Sequence, residues 1–288
     1  MISTIMLKYV MPQKIVFFGS GWFVVPVIKT LINHGLAFVV TNESEGEVVE
    51  FCKANNIEFV SSNLKDATVI EKIKSLNPTV AILASYGAFV PDSVINAFPK
   101  GIINIHPSLL PKYKGPSPVQ YALLNNETIT GVTLIKLDDQ IDHGPIFAQR
   151  PYNLNGTETS IDLLSILFEI GAQLVEEVIS KFEKGEEVQE KAQDHSQETW
   201  SYKIEKKDGL IDPTNLQDTR FKLDCMIRGL YPWPGVWFRT LLKGQEKIVK
   251  LLPEGKIQVE GKNSVTYKDF LNGFGDEGHD LLSSLSLI

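Results

Sequence analysis

Between residues 14 and 105, short apolar runs alternate with segments whose apolar positions recur at helical spacing. Lys14-Ile15-Val16-Phe17-Phe18-Gly19 is too short for a helix and closes on glycine, so it predicts a buried strand. Phe23 to His34 keeps a helical period and ends at Gly35, a residue suited to a helix C-terminus. Ala37 to Thr41 predicts a second strand. Ser44 to Asn55 predicts a second helix, with Glu45 and Glu47 complementing the dipole in its first turn. Ile57 to Val60, Thr79 to Ala84 and Gly101 to Ile105 predict further strands, separated by helices at Ala67 to Leu76 and Pro91 to Ala97. This alternation predicts a Rossmann-like α/β fold: a mostly parallel sheet with helices on both faces and function at the carboxyl ends of its strands.

Past the loop from Pro111 to Pro118, the pattern predicts a helix to about Asn125, strands at Gly131 to Leu137 and Ile146 to Pro151, and a long amphipathic helix from Thr159 to Lys184. The chain turns polar from Trp200 to Pro213. From Trp237 onward, alternation at Ile248, Lys250 and Leu252, and at Ile257 and Val259, predicts a small β-rich unit. At 288 residues the chain exceeds one average domain. The expected division is a principal domain over 12–200, a linker over 201–207 and a small C-terminal β-rich domain over 208–288.

Composition narrows the class. With 43% hydrophobic and 22% charged residues, the chain can bury a substantial core, which excludes a disordered protein. The only cysteines, Cys52 and Cys225, lie far apart without CxxC spacing, so neither a zinc site nor a disulfide framework is expected and a cytoplasmic location fits. Residues 1–10 lack a basic leader and a small-residue cleavage pattern, which argues against a signal peptide; Met11 is an alternative start. No apolar run reaches the roughly 20 residues that span a bilayer. The net charge of −7 hides an asymmetry: residues 201–268 hold 13 Lys and Arg against 8 Asp and Glu, whereas residues 1–200 hold 15 against 23. A basic segment on an acidic body is a candidate surface for a phosphate-rich partner.

Gly19-Ser20-Gly21 after the first strand invites a dinucleotide reading, but Val24 stands where the third glycine belongs, so a tight turn is the better account. Asn104 and His106 lie two apart at the end of an apolar strand, which points an amide and an imidazole to one face. The polar stretch Leu137 to Pro145 follows another strand and closes on Gly-Pro, so it predicts a fixed loop presenting Asp142. Asn, His and Asp together suit acyl or formyl transfer to an amine: the amide and a protonated imidazole stabilise the developing oxyanion, and the carboxylate orients the ring and manages the amine proton. A triad hydrolase built on Ser108 or Ser117 lacks a GxSxG elbow. A metal held by His106, Asp142 and His143 lacks any paired-ligand motif, and none is expected.

The run Asn104-Ile-His-Pro-Ser-Leu-Leu-Pro-Lys-Tyr-Lys-Gly-Pro-Ser-Pro118, with Thr130-Gly-Val-Thr133 and Leu137-Asp-Asp-Gln-Ile-Asp-His-Gly-Pro-Ile146, closely resembles the formyltransferase superfamily that uses 10-formyltetrahydrofolate. The resemblance implies that Asn104, His106 and Asp142 match the catalytic trio. It also implies that Ser108, Leu109, Leu110 and Pro111 contact the folate and that the loop beginning Leu137-Asp138 borders the pterin. Tyr202 to Asp212, Cys225 to Trp237 and Tyr267 to Gly273 resemble the domain junction and the small OB-like barrel of members that formylate initiator methionyl-tRNA, so that tRNA is the implied partner.

Two departures qualify the acceptor. Those tRNA enzymes usually carry a basic, Gly/Pro-rich loop after the second strand, and here Thr41-Asn-Glu-Ser-Glu-Gly-Glu47 is short and acidic. The barrel is also abbreviated between Leu252 and Phe270. Both would suit the alternative acceptor, a nucleotide-linked amino sugar, whereas the basic segment over 201–268 favours tRNA. Oligomeric state is not legible in the sequence.

Overall fold

The first apolar run forms strand β1 (Ile15–Gly19), all five residues of it buried. The computed structural model describes residues 13–216 and 221–288; residues 1–10 and the alternative start at Met11 lie outside them. Strands β2 (Leu36–Thr41), β3 (Phe59–Ser61), β4 (Val80–Ala84) and β5 (Ile102–His106) follow, all parallel. Parallel strands covered on both faces have no solvent side, which is why they read as unbroken apolar runs.

Helices α1 (Val25–Ile32), α2 (Glu47–Ala54), α3 (Ala67–Ser75) and α4 (Asp92–Ile95) lie between these strands. Two begin later than their periodicity suggests. A single 3-10 turn over Trp22–Val24 precedes α1, whose first turn contains Pro26, where the missing N–H costs nothing. Gly46, at φ 131°, caps α2, a backbone geometry that leaves Glu45 outside the helix. Cys52 is buried in α2, and burial pushes its thiol up to about 11; burial likewise raises the Cys225 thiol. Both are free. We expect neither to react with Ellman's reagent at pH 8 in the native protein, and both to react within minutes in denaturant.

Four further elements continue the chain: α5 (Pro118–Leu124), β6 (Ile129–Lys136), β7 (Ile146–Asn153) and α6 (Ser160–Glu183). The seven strands order as β3-β2-β1-β4-β5-β6-β7. β6 runs antiparallel to β5, with Ile103 opposite Lys136 and His106 opposite Thr133. It therefore leaves the sheet beside the amino end of β5, where Leu137 donates its N–H to the Ile102 carbonyl. Along β5, residues 102, 104 and 106 share one face and residues 103 and 105 the other. Ile102 joins an apolar cluster with Val16, Phe18, Val40 and Ala81. On the opposite face, a Cβ at Gly171 of α6 would come within 2.8 Å of Ile105, so glycine lets helix and sheet meet closely.

The described residues separate into two compact units: one holds 13–114, Gly131–Tyr152 and Ser165–Glu198, and the other holds Gly115–Thr130, Asn153–Leu164, 199–216 and 221–288. The second unit contains α7 (Leu223–Gly229) and an antiparallel sheet of β8 (Val236–Leu242), β9 (Gln245–Leu252), β10 (Lys256–Val259) and β11 (Val265–Thr266), ordered β11-β10-β9-β8. Val236, Phe238, Val249, Leu251 and Ile257 form its buried side. A helical segment, α8 (Tyr267–Ser284), replaces any further strand. Gly273, Gly275 and Gly278 lower its propensity, and the helix breaks at Gly275 (φ 55°, ψ −130°). The Thr266 side chain accepting from Asp269 N and the burial of Phe270, Leu281 and Leu282 offset that cost.

Candidate active site

Asn104 and His106 point from the same face of β5 and are 8% and 4% exposed, so each polar atom needs a partner. Asn104 Nδ2 donates to Asp142 Oδ1 at 3.2 Å, and His106 Nδ1 lies 3.5 Å from the same oxygen. His106 Nε2 sits 2.8 Å from the backbone oxygen of Tyr113. A carbonyl only accepts, so the Nε2 proton is fixed and Nδ1 is the nitrogen that faces the carboxylate. The three residues expected from the sequence are thus brought together.

Asp142 reaches them by an unexpected route. Because β6 exits beside Ile102, the 137–145 loop doubles back across the sheet face rather than rising from its carboxyl edge. Three features fix that path. Lys136 N–H donates to the Pro145 carbonyl at 2.9 Å, closing the loop base. A Cβ at Gly144 would lie 1.9 Å from the Lys136 oxygen, so only glycine fits. Gln193 Nε2 donates to the carbonyls of both Asp142 (2.9 Å) and Gly144 (2.8 Å). Asp142 itself adopts φ 48°, a left-handed conformation that Asp and Asn tolerate better than most residues.

The Ser108 to Pro111 segment is internally satisfied. Ser108 Oγ donates to the Lys112 carbonyl, Leu110 N–H donates to Thr133 Oγ1 at 3.1 Å, and Gln149 Nε2 donates to the Leu110 carbonyl at 3.0 Å. Ser108 and Leu110 are buried, whereas Leu109, Pro111, Leu137 and Asp138 are half-buried. Asp138 commits one oxygen to Gln140 N–H and the other to His143 Nδ1. Half-buried Leu83, Ala88 and Leu137 pack on the apolar cluster containing Ile102, so a partly exposed apolar floor adjoins Asn104. The Gly19-Ser20-Gly21 turn has its Gly21 N–H taken by Glu43 Oε1 at 2.9 Å, so the protein's own carboxylate fills the place a phosphate would use.

Sequence reasoning missed Tyr113, Thr133, Gln149 and Gln193. Tyr113 acts through a backbone oxygen that any residue supplies; Thr133 stands in the Thr130-Gly-Val-Thr133 motif with no role assigned to it there, and Gln149 and Gln193 are ordinary polar side chains outside the quoted motifs. Among the described residues, no three His, Cys, Asp or Glu side chains form a metal-ligating group, and no helix is long and apolar enough to cross a membrane.

The chain belongs to the formyl transferase family, whose model matches residues 13–179. It is 40% identical to the methionyl-tRNA formyltransferase of Chloroflexus aggregans over 81% of this chain and 78% of that protein. The enzyme of the same name from Thermodesulfovibrio yellowstonii is 32% identical over 95% of this chain and 100% of that one. Among solved structures, a 4-N formyltransferase from Francisella tularensis superposes with a TM-score of 0.65 at 19% identity, covering 84% of this chain and 98% of that one, which shows the shared fold.

Proposed function

We propose that this enzyme transfers a formyl group from 10-formyltetrahydrofolate to the α-amine of methionyl-initiator-tRNA in the cytoplasm. The observation that carries the reading is similarity to methionyl-tRNA formyltransferases over nearly the whole chain, with 32% identity across 95% of it. The excess of 13 basic over 8 acidic residues in 201–268 supports a polyanionic acceptor. The same reading takes 12–200 as the catalytic domain, 201–207 as the linker and 208–288 as the small C-terminal domain.

The residues present fit the donor. An apolar floor of Leu83, Ala88 and Leu137 beside a polar rim suits a flat heteroaromatic ring, with Leu109, Pro111 and Asp138 as half-buried neighbours. Ser108 and Leu110 serve this reading as scaffold, since their polar groups are engaged within the protein. When bound, the donor supplies the activated formyl carbon.

Attack of an amine on that carbon puts negative charge on its oxygen. The Asn104 amide and a protonated His106 Nδ1 are the donors that can receive the charge, each plausibly worth roughly 10²–10³ in rate. Asp142 holds the amide and faces the imidazole through a single oxygen, Oδ1. A carboxylate there can take up the proton the amine must lose and hand it to the tetrahydrofolate nitrogen as the bond from that nitrogen to the formyl carbon breaks, leaving the formylated amine and tetrahydrofolate.

The deciding experiment offers the purified protein formyl donor with either Met-tRNA or a nucleotide-linked amino sugar. Formyl-Met-tRNA should form, and its apparent affinity should fall steeply between 50 and 200 mM salt, in the manner of phosphate contacts. Turnover of the amino sugar alone, with a flat salt response, would replace tRNA as the acceptor.

A further inference from the structure

Lys114 is 1% exposed and takes no part in the chemistry above. A buried ammonium is tolerated only with partners. Its Nζ lies 2.6 Å from Glu198 Oε2 and 3.2 Å from His195 Nδ1. An ammonium can only donate, so Nδ1 of His195 is the bare nitrogen and the ring proton sits on Nε2. The ring stacks on His143, with centroids 4.1 Å apart and planes 4° from parallel. His143 in turn donates Nδ1–H to Asp138 Oδ2 at 2.8 Å. The chain of contacts from Lys114 therefore ends on both flanks of Asp142, at Asp138 and at His143. Gln193, from the same stretch as His195, grips the carbonyls of Asp142 and Gly144.

Lys114 has a second connection, through its own backbone. The preceding residue, Tyr113, is held at φ 56° and offers the carbonyl that fixes His106 Nε2. One buried cation thus stands between the acceptor that orients the imidazole and the loop that delivers the carboxylate.

We propose that Lys114, with Glu198 and His195, is a positioning device for the formyl-transfer site. It holds the Tyr113 carbonyl against His106 and, through the His195–His143 stack, holds the 137–145 loop so that Asp142 Oδ1 faces His106 Nδ1. None of the three touches a reacting atom. A purely structural ion pair would leave turnover of the folded protein unchanged when it is removed, whereas misplacing a reacting group by about 1 Å can cost roughly 10²-fold.

This inference rests on the formyl-transfer reading, and its test separates the two. In Lys114→Met, which keeps volume and loses the donors, kcat should fall about 10- to 100-fold with the donor KM within about twofold. Hydrogen exchange of the backbone amides over 138–144, measured without substrate, should quicken about tenfold or more. Lys114→Arg, whose guanidinium can serve both partners, should recover most of both. His195→Ala alters a ring more than a third exposed, so it keeps the test open if Lys114→Met does not fold; it should loosen the same amides and lower kcat about threefold to tenfold. Unchanged exchange and unchanged kcat in these variants would overturn the proposal whatever their Tm. A loosened loop in a protein whose wild type transfers no formyl group would sink the assigned reaction and leave the positioning role standing.

Discussion

His106→Ala should lower kcat for formyl transfer by about 10²–10³-fold while binding of the formyl donor stays within a few-fold. The ring sits between two acceptors, the Tyr113 carbonyl at 2.8 Å and Asp142 Oδ1 at 3.5 Å, and alanine supplies neither donor. Asp142→Asn should lose a similar amount, about 10²-fold. Asparagine is the informative replacement: it tolerates φ 48° and can still accept from Asn104 through Oδ1, so what it removes is the charge beside His106. Single-turnover rates with equilibrium donor binding check both variants, and wild-type turnover in either would remove that residue from the trio.

Gly144→Ala should lose both stability and turnover. Its Cβ would stand 1.9 Å from the Lys136 oxygen, closer than any non-bonded contact, and the neighbour is backbone rather than a side chain that can swing away. Overpacking of this kind costs about 3 kcal/mol. The loop can relax only by shifting residues that include Asp142, two positions away, so kcat should also fall about 10²-fold. Denaturant unfolding alongside kcat at a temperature where the variant remains folded separates the two losses. A variant as stable and as fast as wild type would mean that the loop does not follow this path.

Much of this was legible in the sequence because the underlying physics is local. Unbroken apolar runs such as Lys14 to Gly19 announce parallel strands covered on both faces. Two-residue parity announces that Asn104 and His106 share a face. Gly-Pro after a polar stretch announces a fixed loop at Asp142. What stayed hidden depends on distant partners. The direction of β6, which makes the Asp142 loop double back, is written in no local pattern. A lysine reads as surface, yet Lys114 is buried because Glu198 and His195 arrive from far along the chain. α8 was obscured by three glycines whose cost is offset by packing and a threonine cap. His143, considered from the sequence as a metal ligand and set aside, acquires a part once His195 stacks on it.

The grip of Gln193 on the Asp142 carbonyl spans 51 positions along the chain. At about 5–20 residues per second, a ribosome needs roughly 3–10 s to make that interval. The nascent sheet can therefore carry Asn104, His106 and Asp142 before the stretch that fixes the third of them exists. That stretch also lies beyond residues 13–179, the part matched by the family model. The chemical groups lie inside that matched region, while the moment at which they come into register is set by a segment beyond it.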